Sequence, residues 1–324
     1  MNKNNSIVVV QIGKIGDMIL TTPLFSRIKN IFPEYELTVL ASEKNYFIPE
    51  LHSSVDKVIK FKKDFSALKS FISLKSSHID YWIDTKNMYS STSNMLVKNI
   101  KPERSLGFNY DVRVFSETLN NYTLGSHAID INLSPLNFFN NSNEIFSKNI
   151  KPELTIPDTV RKTAEEKLSK FKGLKNILIN FSAGSEIRQL SADMWIEVIG
   201  ELKLDRDCNV LITGLVNDQN EIDIIINRCE TYNIHQIRTE SFFEFAAVIK
   251  LCDLVITPDT SAVHVCSAFN KPIVAIYSNV KWNYEKFRPL SDINEVVFSG
   301  NENNMEGIKT GSISEKIHKI LPLI

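Results

Sequence analysis

A phosphate-binding pattern stands near the end of the chain, at Asp259–His264. These residues read Asp-Thr-Ser-Ala-Val-His and separate an apolar run at 254–256 from a second one at 272–277. A strand that ends at Asp-Thr and continues as a helix of small residues presents free backbone N–H groups, which bind phosphate. A hydroxyl and an imidazole follow within about one helical turn. The residues expected around such a phosphate are Asp259, Thr260, Ser261 and His264.

A second pattern, near the start of the chain, suits acid–base chemistry. The apolar run 7–10 leads through Gln11 to Gly13 and Gly16, and Asp17 follows at once. A carboxylate just past a tight glycine turn, at the open end of a strand, is placed as a general base would be in an α/β enzyme. The middle glycine of the dinucleotide fingerprint and the Gly-Lys-Ser/Thr of a P-loop are both missing, so the glycines alone indicate a nucleotide site weakly. A plain strand-to-helix turn, with Asp17 as a helix N-terminal charge, is the alternative.

A third group follows the first predicted strand of the second half. Ser182, Gly184 and Ser185 offer hydroxyls and a flexible backbone, and Arg188 offers the cation that a leaving diphosphate needs. Asp218, which follows the next strand, is placed to contact ribose hydroxyls, as in other doubly wound sheets. The alternatives are a solvated surface charge for Arg188 and a helix N-terminal carboxylate for Asp218.

Length and composition narrow the class of protein. A chain of 324 residues exceeds the size of one growing core, which predicts two domains. The hydrophobic share of 43% and the charged share of 23% are those of an ordinary globular protein, and the net charge of -1 disfavours a nucleic-acid binder. The four cysteines lack CxxC spacing, which disfavours zinc sites and disulfides. No apolar stretch nears about 18 residues and no cleavage site follows the start, so we expect a cytoplasmic protein.

Short β-branched runs alternate with longer helical patterns along the chain, and this alternation predicts parallel βαβ units. The class is therefore α/β, with a doubly wound sheet in each half and a boundary in the Asn- and Ser-rich region before Pro157. Thr22 and Pro23 either cap and begin a helix, or lie where a helix starting at Asp17 bends. The predicted strands are Ile7–Gln11, Leu37–Leu40, Lys57–Phe61, Tyr81–Asp84, Ile177–Phe181, Val210–Thr213, His235–Arg238 and Leu254–Thr257. The predicted helices of the second half are Val160–Phe171, Asp193–Leu204, Asn220–Thr231, Phe242–Leu251 and Ser314–Leu323, and the last of these is able to pack back across the domain junction.

The stretch Lys57–Lys75 is both basic and aromatic. Such a composition suits contact with anionic lipid at a membrane surface. An ordinary solvated helix face is the favoured interpretation.

These motifs resemble those of a known family, the bacterial ADP-heptose:lipopolysaccharide heptosyltransferases of glycosyltransferase family 9. The family pattern Gly-Asp-x-Leu-x-Thr-x-Pro is matched by residues 16–23, with Ile19 as a near match. The pattern Asp-Thr-Gly-x-x-His with a following Pro-x-x-Ala-Ile-Tyr is matched by residues 259–277. Residues 182–188 fill the looser middle motif. With Asp84 and Leu106-Gly107-Phe108, the resemblance spans nearly the whole chain.

The resemblance implies a GT-B architecture of two Rossmann-like domains facing a central cleft. Residues 1–155 would bind the acceptor and residues 156–324 the nucleotide sugar. The implied reaction is an inverting, metal-independent transfer of heptose from ADP-heptose, without a cofactor, to a hydroxyl of a lipid-anchored lipopolysaccharide or lipooligosaccharide core, in transient contact with the cytoplasmic face of the inner membrane. The implied roles are Asp17 as general base, Arg188 as phosphate contact, Asp218 as ribose contact, and Asp259, Thr260, Ser261 and His264 as the cradle for diphosphate and sugar.

Two departures from the family pattern affect the donor. Arg188 replaces a lysine, which keeps the charge but exchanges a compact ammonium for a planar fork. Ser261 replaces a glycine and adds a side chain where the backbone approaches the ligand. These departures leave open a transferase of this fold that uses another nucleotide sugar. A non-catalytic sugar-binding relative also stays open, as does an NAD-dependent dehydrogenase that uses the first βα turn, with Glu43 as ribose acid.

Overall fold

The structure is a computed structural model. It describes residues 5–62, 72, 74–75, 78–109, 113–120, 127–139, 150–202, 208–230 and 232–324. The chain divides into two compact units, residues 1–155 and residues 156–324. In the described part of the chain, no helix has the length and apolar character needed to cross a bilayer.

The first unit is built on a parallel six-stranded sheet. Its first strand is buried along its whole length, which is typical of a parallel strand with helices on both faces. The strand order is β3-β2-β1-β4-β5-β6, so the winding reverses direction between β1 and β4. The strands are β1 (Ser6–Gln11), β2 (Glu36–Ser42), β3 (Lys57–Phe61), β4 (Tyr81–Asp84), β5 (Arg104–Gly107) and β6 (Glu117–Thr118).

The helices of the first unit resolve the choice at Pro23. Asp17 lies in a separate five-residue helix, and a second helix begins at Thr22 with Thr21 as its N-cap residue. Pro23 is tolerated in that first turn because its missing N–H would have had no helical partner. The described helices are α1 (Ile15–Ile19), α2 (Thr22–Ile31), α3 (Phe47–Glu50), α4 (Ser91–Ile100), α5 (Ala128–Leu133) and α6 (Leu136–Phe139).

The second unit repeats the same winding. Its six parallel strands lie in the order β12-β11-β10-β7-β8-β9, which is the order of the first sheet read from the other end. The reversal lies between β7 and β10. The strands are β7 (Lys175–Asn180), β8 (Cys208–Thr213), β9 (Ile234–Gln236), β10 (Leu254–Pro258), β11 (Ile273–Tyr277) and β12 (Asn294–Phe298).

The helices of the second unit pack an extensive apolar cluster against its sheet. Trp195 is fully buried there together with the apolar face of the last helix, Ile313, Ile317 and Ile320. That helix also contacts its own unit through Ser314, whose hydroxyl donates to Glu201 at 2.9 Å. The helices are α7 (Asp158–Leu168), α8 (Ala192–Leu202), α9 (Gln219–Arg228), α10 (Phe242–Leu251), α11 (Ser261–Phe269), α12 (Lys281–Phe287) and α13 (Thr310–Ile320), with 3-10 turns at Ser169–Phe171, Glu186–Arg188, Val216–Asp218 and Leu321–Leu323.

The predicted α/β class with a doubly wound parallel sheet in each half is confirmed. Each predicted strand is present, with ends that differ by at most two residues from those observed. Two interpretations fall largely outside the described residues, namely the basic stretch beyond residue 62 and the Asn-rich region at 140–149.

Candidate functional site

The predicted site residues other than Asp218 lie at the carboxyl ends of strands that flank the two reversals of winding, and Asp218 follows the adjacent strand β8. Open α/β sheets bind ligands at this position, because the loops on either side of the reversal part and leave a crevice. In the first unit these loops follow β1 and β4, and in the second they follow β7 and β10.

Asp17 is held by the turn that precedes it. Its Oδ2 atom accepts a hydrogen bond of 2.9 Å from the N–H of Lys14, while the N–H of Gly13 donates to the side chain of Gln11 at 3.2 Å. A Cβ at position 13 would lie 2.6 Å from Asp17 Oδ2 and 2.8 Å from Gln11 Oε1, so glycine permits a contact that no side chain allows. Gly16 lies inside α1. The turn therefore also stabilises a helix N-terminus, as the alternative interpretation of Asp17 held.

Thr21 fixes the backbone of Asp17. Its hydroxyl donates to the Asp17 carbonyl at 2.8 Å and accepts from the amides of Gln11 at 3.0 Å and Asn132 at 3.1 Å. The end of β1, the helix that carries Asp17 and the distant helix α5 thus meet at one hydroxyl. The family-like threonine at 21 is explained by this contact.

Gln11 also links the two strands at the reversal. Its Nε2 atom donates to Thr85 Oγ1 at 3.0 Å, and Thr85 donates in turn to the carbonyl of Val10 at 3.2 Å. Neither Gln11 nor Thr85 was singled out as a site residue from sequence. The available signal was a polar side chain directly after an apolar strand in both cases.

Arg188 is brought to Asp259, 71 positions away. Its Nη1 atom lies 2.9 Å from Asp259 Oδ2 and 3.4 Å from the Asp259 carbonyl oxygen, and Asn283 donates to the same carboxylate at 2.8 Å. The Asp259 side chain is 6% exposed and that of Arg188 is 36% exposed. Arg188 is therefore a positioned cation rather than a solvated one, and Asp259 positions it. Burial, followed by the charge of Asp259, raises the pKa of the neighbouring Tyr277 well above its usual range.

The start of α11 is fixed by a hydroxyl and an amide. Thr260 is the N-cap residue, and its hydroxyl accepts from the N–H of Ala262 at 3.2 Å. Asn180, the last residue of β7, donates to Thr257 at 2.9 Å and to Thr260 at 3.3 Å. Ser261 is the first residue of the helix. The N-terminus of α11 is thereby directed to the same strand ends as Arg188.

Asp218 is joined to the loop after β7. It accepts hydrogen bonds from the Ser182 hydroxyl and from Gln189 Nε2, the latter at 3.1 Å. Ser182 also accepts from the N–H of Leu215 at 2.6 Å. Although Asp218 precedes α9, its side chain makes no capping hydrogen bond there, which disfavours the helix-terminus interpretation. A Cβ at Gly214 would lie 2.9 Å from Ser182 Oγ, so this pairing depends on the glycine.

The remaining predicted residues are placed as follows. Gly184 and Ser185 are exposed in the loop after β7, where the Ser185 carbonyl accepts from the N–H of Arg188 at 2.9 Å. His264 is buried in α11, with its ring centroid 6.0 Å from that of Phe287. Sequence reasoning missed Gln189 and Asn283, whose amide groups hold the two acidic residues.

A group of three potential metal ligands occurs elsewhere in the described residues. His78 Nε2 lies 3.2 Å from Asp80 Oδ1 and 3.3 Å from Glu103 Oε1. These residues precede β4 and β5, at the amino ends of the strands. The group therefore lies at the opposite edge of the first sheet from Asp17.

Comparison with known proteins identifies relatives over the full chain. Residues 68–318 match the family model for glycosyltransferase family 9 (heptosyltransferase). A lipopolysaccharide heptosyltransferase 1 from Campylobacter coli is 20% identical over 311 residues, which cover 91% of this chain and 89% of that protein.

Two solved structures are similar over almost their whole length. A family 9 glycosyl transferase from Veillonella parvula has a TM-score of 0.80 at 18% identity, covering 100% of this chain and 99% of the other. The ADP-heptose lps heptosyltransferase II of E. coli has a TM-score of 0.76 at 17% identity, with 98% and 99% covered. At this identity the likeness shows a shared fold.

Proposed function

We propose a specific reaction from the premise that this chain belongs to glycosyltransferase family 9. The protein is a heptosyltransferase-like glycosyltransferase. The proposed reaction moves heptose from ADP-heptose to a hydroxyl of a lipopolysaccharide or lipooligosaccharide core, with inversion at the anomeric carbon and without a metal ion. The observation that carries the proposal is the positioned cation Arg188 beside the capped N-terminus of α11.

The second unit would bind the donor through its diphosphate. The N-terminus of α11 supplies backbone N–H groups and a partial positive charge. A guanidinium carries five N–H donors, and the ion pair with Asp259 engages Nη1 on a side chain that is still one third exposed. As the bond to the anomeric carbon breaks, the leaving ADP gains charge that these donors stabilise without reorganising. This is the electrostatic work that a metal ion performs in other transferases.

Asp218 and Ser182 would bind the ribose of the same nucleotide. The Asp218 carboxylate already accepts from Ser182 and Gln189, which fixes its orientation. A carboxylate oriented in this way can accept further hydrogen bonds from a pair of ribose hydroxyls.

Asp17 would act as the general base. The acceptor oxygen attacks the anomeric carbon while its proton passes to the Asp17 carboxylate, and the bond to ADP breaks on the opposite face of the sugar. A single displacement of this kind inverts the configuration. Because Lys14 and Thr21 hold Asp17 through backbone groups, the carboxylate is oriented before the acceptor binds. A positioned base contributes about 10²–10⁴ to the rate.

The acceptor would be a lipid-anchored core oligosaccharide, so we place the reaction at the cytoplasmic face of the inner membrane, with transient contact between protein and membrane surface. A different nucleotide sugar is the second candidate donor. It is favoured by Ser261, whose side chain stands at the first position of α11 where the resembling family has glycine.

A donor comparison tests the proposal. The purified protein is incubated with a lipid-linked core acceptor and, in parallel, ADP-heptose, ADP-glucose, UDP-glucose or GDP-mannose, and the nucleotide released is measured. We expect turnover with ADP-heptose to exceed turnover with each other donor by at least about tenfold. NMR of the product should show that the anomeric configuration of the transferred sugar is inverted relative to the donor. Chelation with EDTA should leave the rate unchanged. Preference for another donor, retention of configuration, or loss of rate with EDTA would each contradict the corresponding part of the proposal.

A further inference from the structure

A small pocket in the first unit lies beyond the residues assigned above. It opens at the carboxyl end of β4 and has an empty volume of about 270 Å³, including space open to solvent. The described residues that line it belong to the first unit. We call it the Asp84 pocket. Its lining includes Asp84, Lys86, Met88, Tyr89, Phe108 and Phe115.

Asp84 is buried in this pocket with one oxygen unsatisfied. The residue is 1% exposed, and its Oδ1 atom accepts from the N–H of Lys86 at 3.0 Å. Its Oδ2 atom has no hydrogen-bond partner of normal geometry among the described residues, although the Ser93 side chain is close enough to lower the pKa of the carboxyl. A buried polar atom without a partner is destabilising, and such groups are uncommon in folded proteins.

The surroundings of Asp84 favour an uncharged partner. Burial raises the pKa of Asp84 to about 6, although Ser93 and the Lys86 N–H and charge oppose the shift. Lys86 is the cation in the pocket lining and Tyr89 the other titratable group. Near neutral pH the carboxyl therefore exists in both protonation states. A hydroxyl suits both, because it donates to a carboxylate and accepts from a carboxylic acid.

The lining of the pocket combines polar and apolar side chains, because Ser90, Ser93 and Asn94 lie beside the aromatic rings and the methionine. Phe108 and Phe115 are 9% and 5% exposed, whereas Met88 and Tyr89 at the opening are 61% and 65% exposed. The enclosed part has room for a small polar group, and the rim offers an apolar surface beside it. A saccharide has this combination, because its hydroxyls project from the edge of a ring whose faces carry C–H groups.

We propose that the Asp84 pocket is a saccharide subsite, in which Asp84 binds one hydroxyl of the acceptor and Met88 and Tyr89 cover a face of the same sugar ring. The proposal rests on the proposed function in one respect, that the substrate bound by the first unit is a saccharide. It adds Asp84, the last residue of β4, as a specificity-determining residue next to the Thr85 that bonds Gln11.

Binding can be tested without any donor. Methyl α-D-glucopyranoside and methyl L-glycero-α-D-manno-heptopyranoside are titrated against the protein, and saturation transfer to each glycoside is measured by NMR. We expect saturation transfer from the wild-type protein to at least one of the two glycosides. The transfer from Asp84→Leu and from Tyr89→Ala should be weaker by about fivefold or more. Met95→Ala is the matched control, because Met95 is an exposed apolar residue of α4 outside the pocket lining, and it should bind as the wild type does.

Asp84→Asn supplies a second variant in case Asp84→Leu fails to fold. It keeps the Oδ1 acceptor for Lys86 but cannot offer a carboxyl, so it should raise the KM for the acceptor about fivefold while the KM for the donor stays unchanged. Absence of transfer to both glycosides in the wild type, or wild-type binding by Asp84→Leu and Asp84→Asn, would overturn the subsite. If the protein showed no preference for ADP-heptose but still bound a glycoside in the way described, the proposed reaction would be overturned and the subsite would stay supported.

Discussion

The two sheets share a strand order but hold the residues at their carboxyl edges in different ways. In each unit the first strand ends in an amide side chain that bonds a threonine at the end of the neighbouring strand across the reversal of winding. Gln11 bonds Thr85, which directly follows β4, and Asn180 bonds Thr257 of β10. Beyond this shared link the edges diverge. Asp17 is held by an N–H three residues earlier, whereas Arg188 is held by a carboxylate 71 residues later.

In the proposed reaction, this difference would give the two edges different tasks. The first edge presents a carboxylate supported by a backbone N–H, an arrangement that can accept a proton. The second edge presents a cation supported by a carboxylate and a helix N-terminus, an arrangement that can stabilise a departing anion. The topology is common to both, and the chemistry resides in the residues that the strand ends carry.

The largest effect is expected at Asp17. Asp17→Asn can still accept from the N–H of Lys14, so the turn should persist while the proton acceptor is lost. Turnover should fall about 10²–10⁴-fold with unchanged affinity for ADP. Steady-state rates and calorimetric titration of ADP measure the two. Near-normal turnover would show that the first edge does not supply the base.

The next comparison is between two buried carboxyl groups, Asp84 at the first edge and Asp259 at the second, and concerns the free energy of unfolding. The pKa of Asp84 is about 6 in the folded chain and 3.8 in its unperturbed state, so the folded chain binds more protons between these pH values. Stability is therefore lost as the pH rises through this window, by about 3 kcal/mol at full ionisation. Asp84→Asn cannot ionise, and it should be more stable than the wild type by an amount of this order at pH 8 but not at pH 4. Urea unfolding at the two pH values measures this difference.

The corresponding change at the second edge should have the opposite sign. Asp259→Asn breaks the ion pair with Arg188 and leaves an amide group facing Asn283, so it should lower the free energy of unfolding by about 1–3 kcal/mol. If both substitutions stabilised the protein, or neither did, there would be no energetic difference between the ion-paired carboxyl of Asp259 and the carboxyl of Asp84, whose Oδ2 atom lacks a described hydrogen-bond partner.

A third prediction concerns donor affinity at the second edge. Arg188→Ala should weaken ADP binding about 10–100-fold, the size of a lost charge-assisted hydrogen bond. Arg188→Lys keeps the charge but loses the fork that reaches Asp259, and it should fall between alanine and wild type. Calorimetric titration of ADP checks the order of the three proteins. Equal affinity in all of them would remove Arg188 from the phosphate site.

The smallest effects are expected at Gly13 and Gly214, two glycines at which a Cβ would meet a neighbouring side chain. Gly13→Ala would displace Asp17 or Gln11 and should reduce turnover about tenfold. Gly214→Ala would press on Ser182 and Ile222 and should instead raise the Kd for ADP. Gly200→Ala is the control, since its Cβ would meet nothing nearer than Tyr232 at 3.8 Å inside a helix. If Gly13→Ala and Gly214→Ala changed turnover and ADP affinity to the same extent, the two edges would not have the separate tasks proposed here.

The Asp17 turn of the first edge could be predicted from sequence because its contacts are local, whereas the bonds of Gln11 to Thr85 and of Thr21 to Asn132 could not. A glycine turn followed by a carboxylate is legible within seven residues, and the structure shows the carboxylate closing that turn. The second edge was predicted in its residues but not in its contacts. Asn283 and Gln189 were missed because their partners lie 24 and 29 residues away, across strand connections that no local pattern specifies.

The α/β class, eight of the twelve described strands and the polar residues that end them could be predicted from the amino-acid sequence, because apolar runs and helical periodicity are properties of neighbouring residues. The fold was needed to show that Arg188 pairs with Asp259, that Ser182 pairs with Asp218, and that, within the described residues, a carboxyl oxygen of Asp84 is buried without a hydrogen-bond partner. Such pairings follow from the order in which strands assemble into a sheet. That order brings together loops distant in the chain, and it is set by packing of the whole unit.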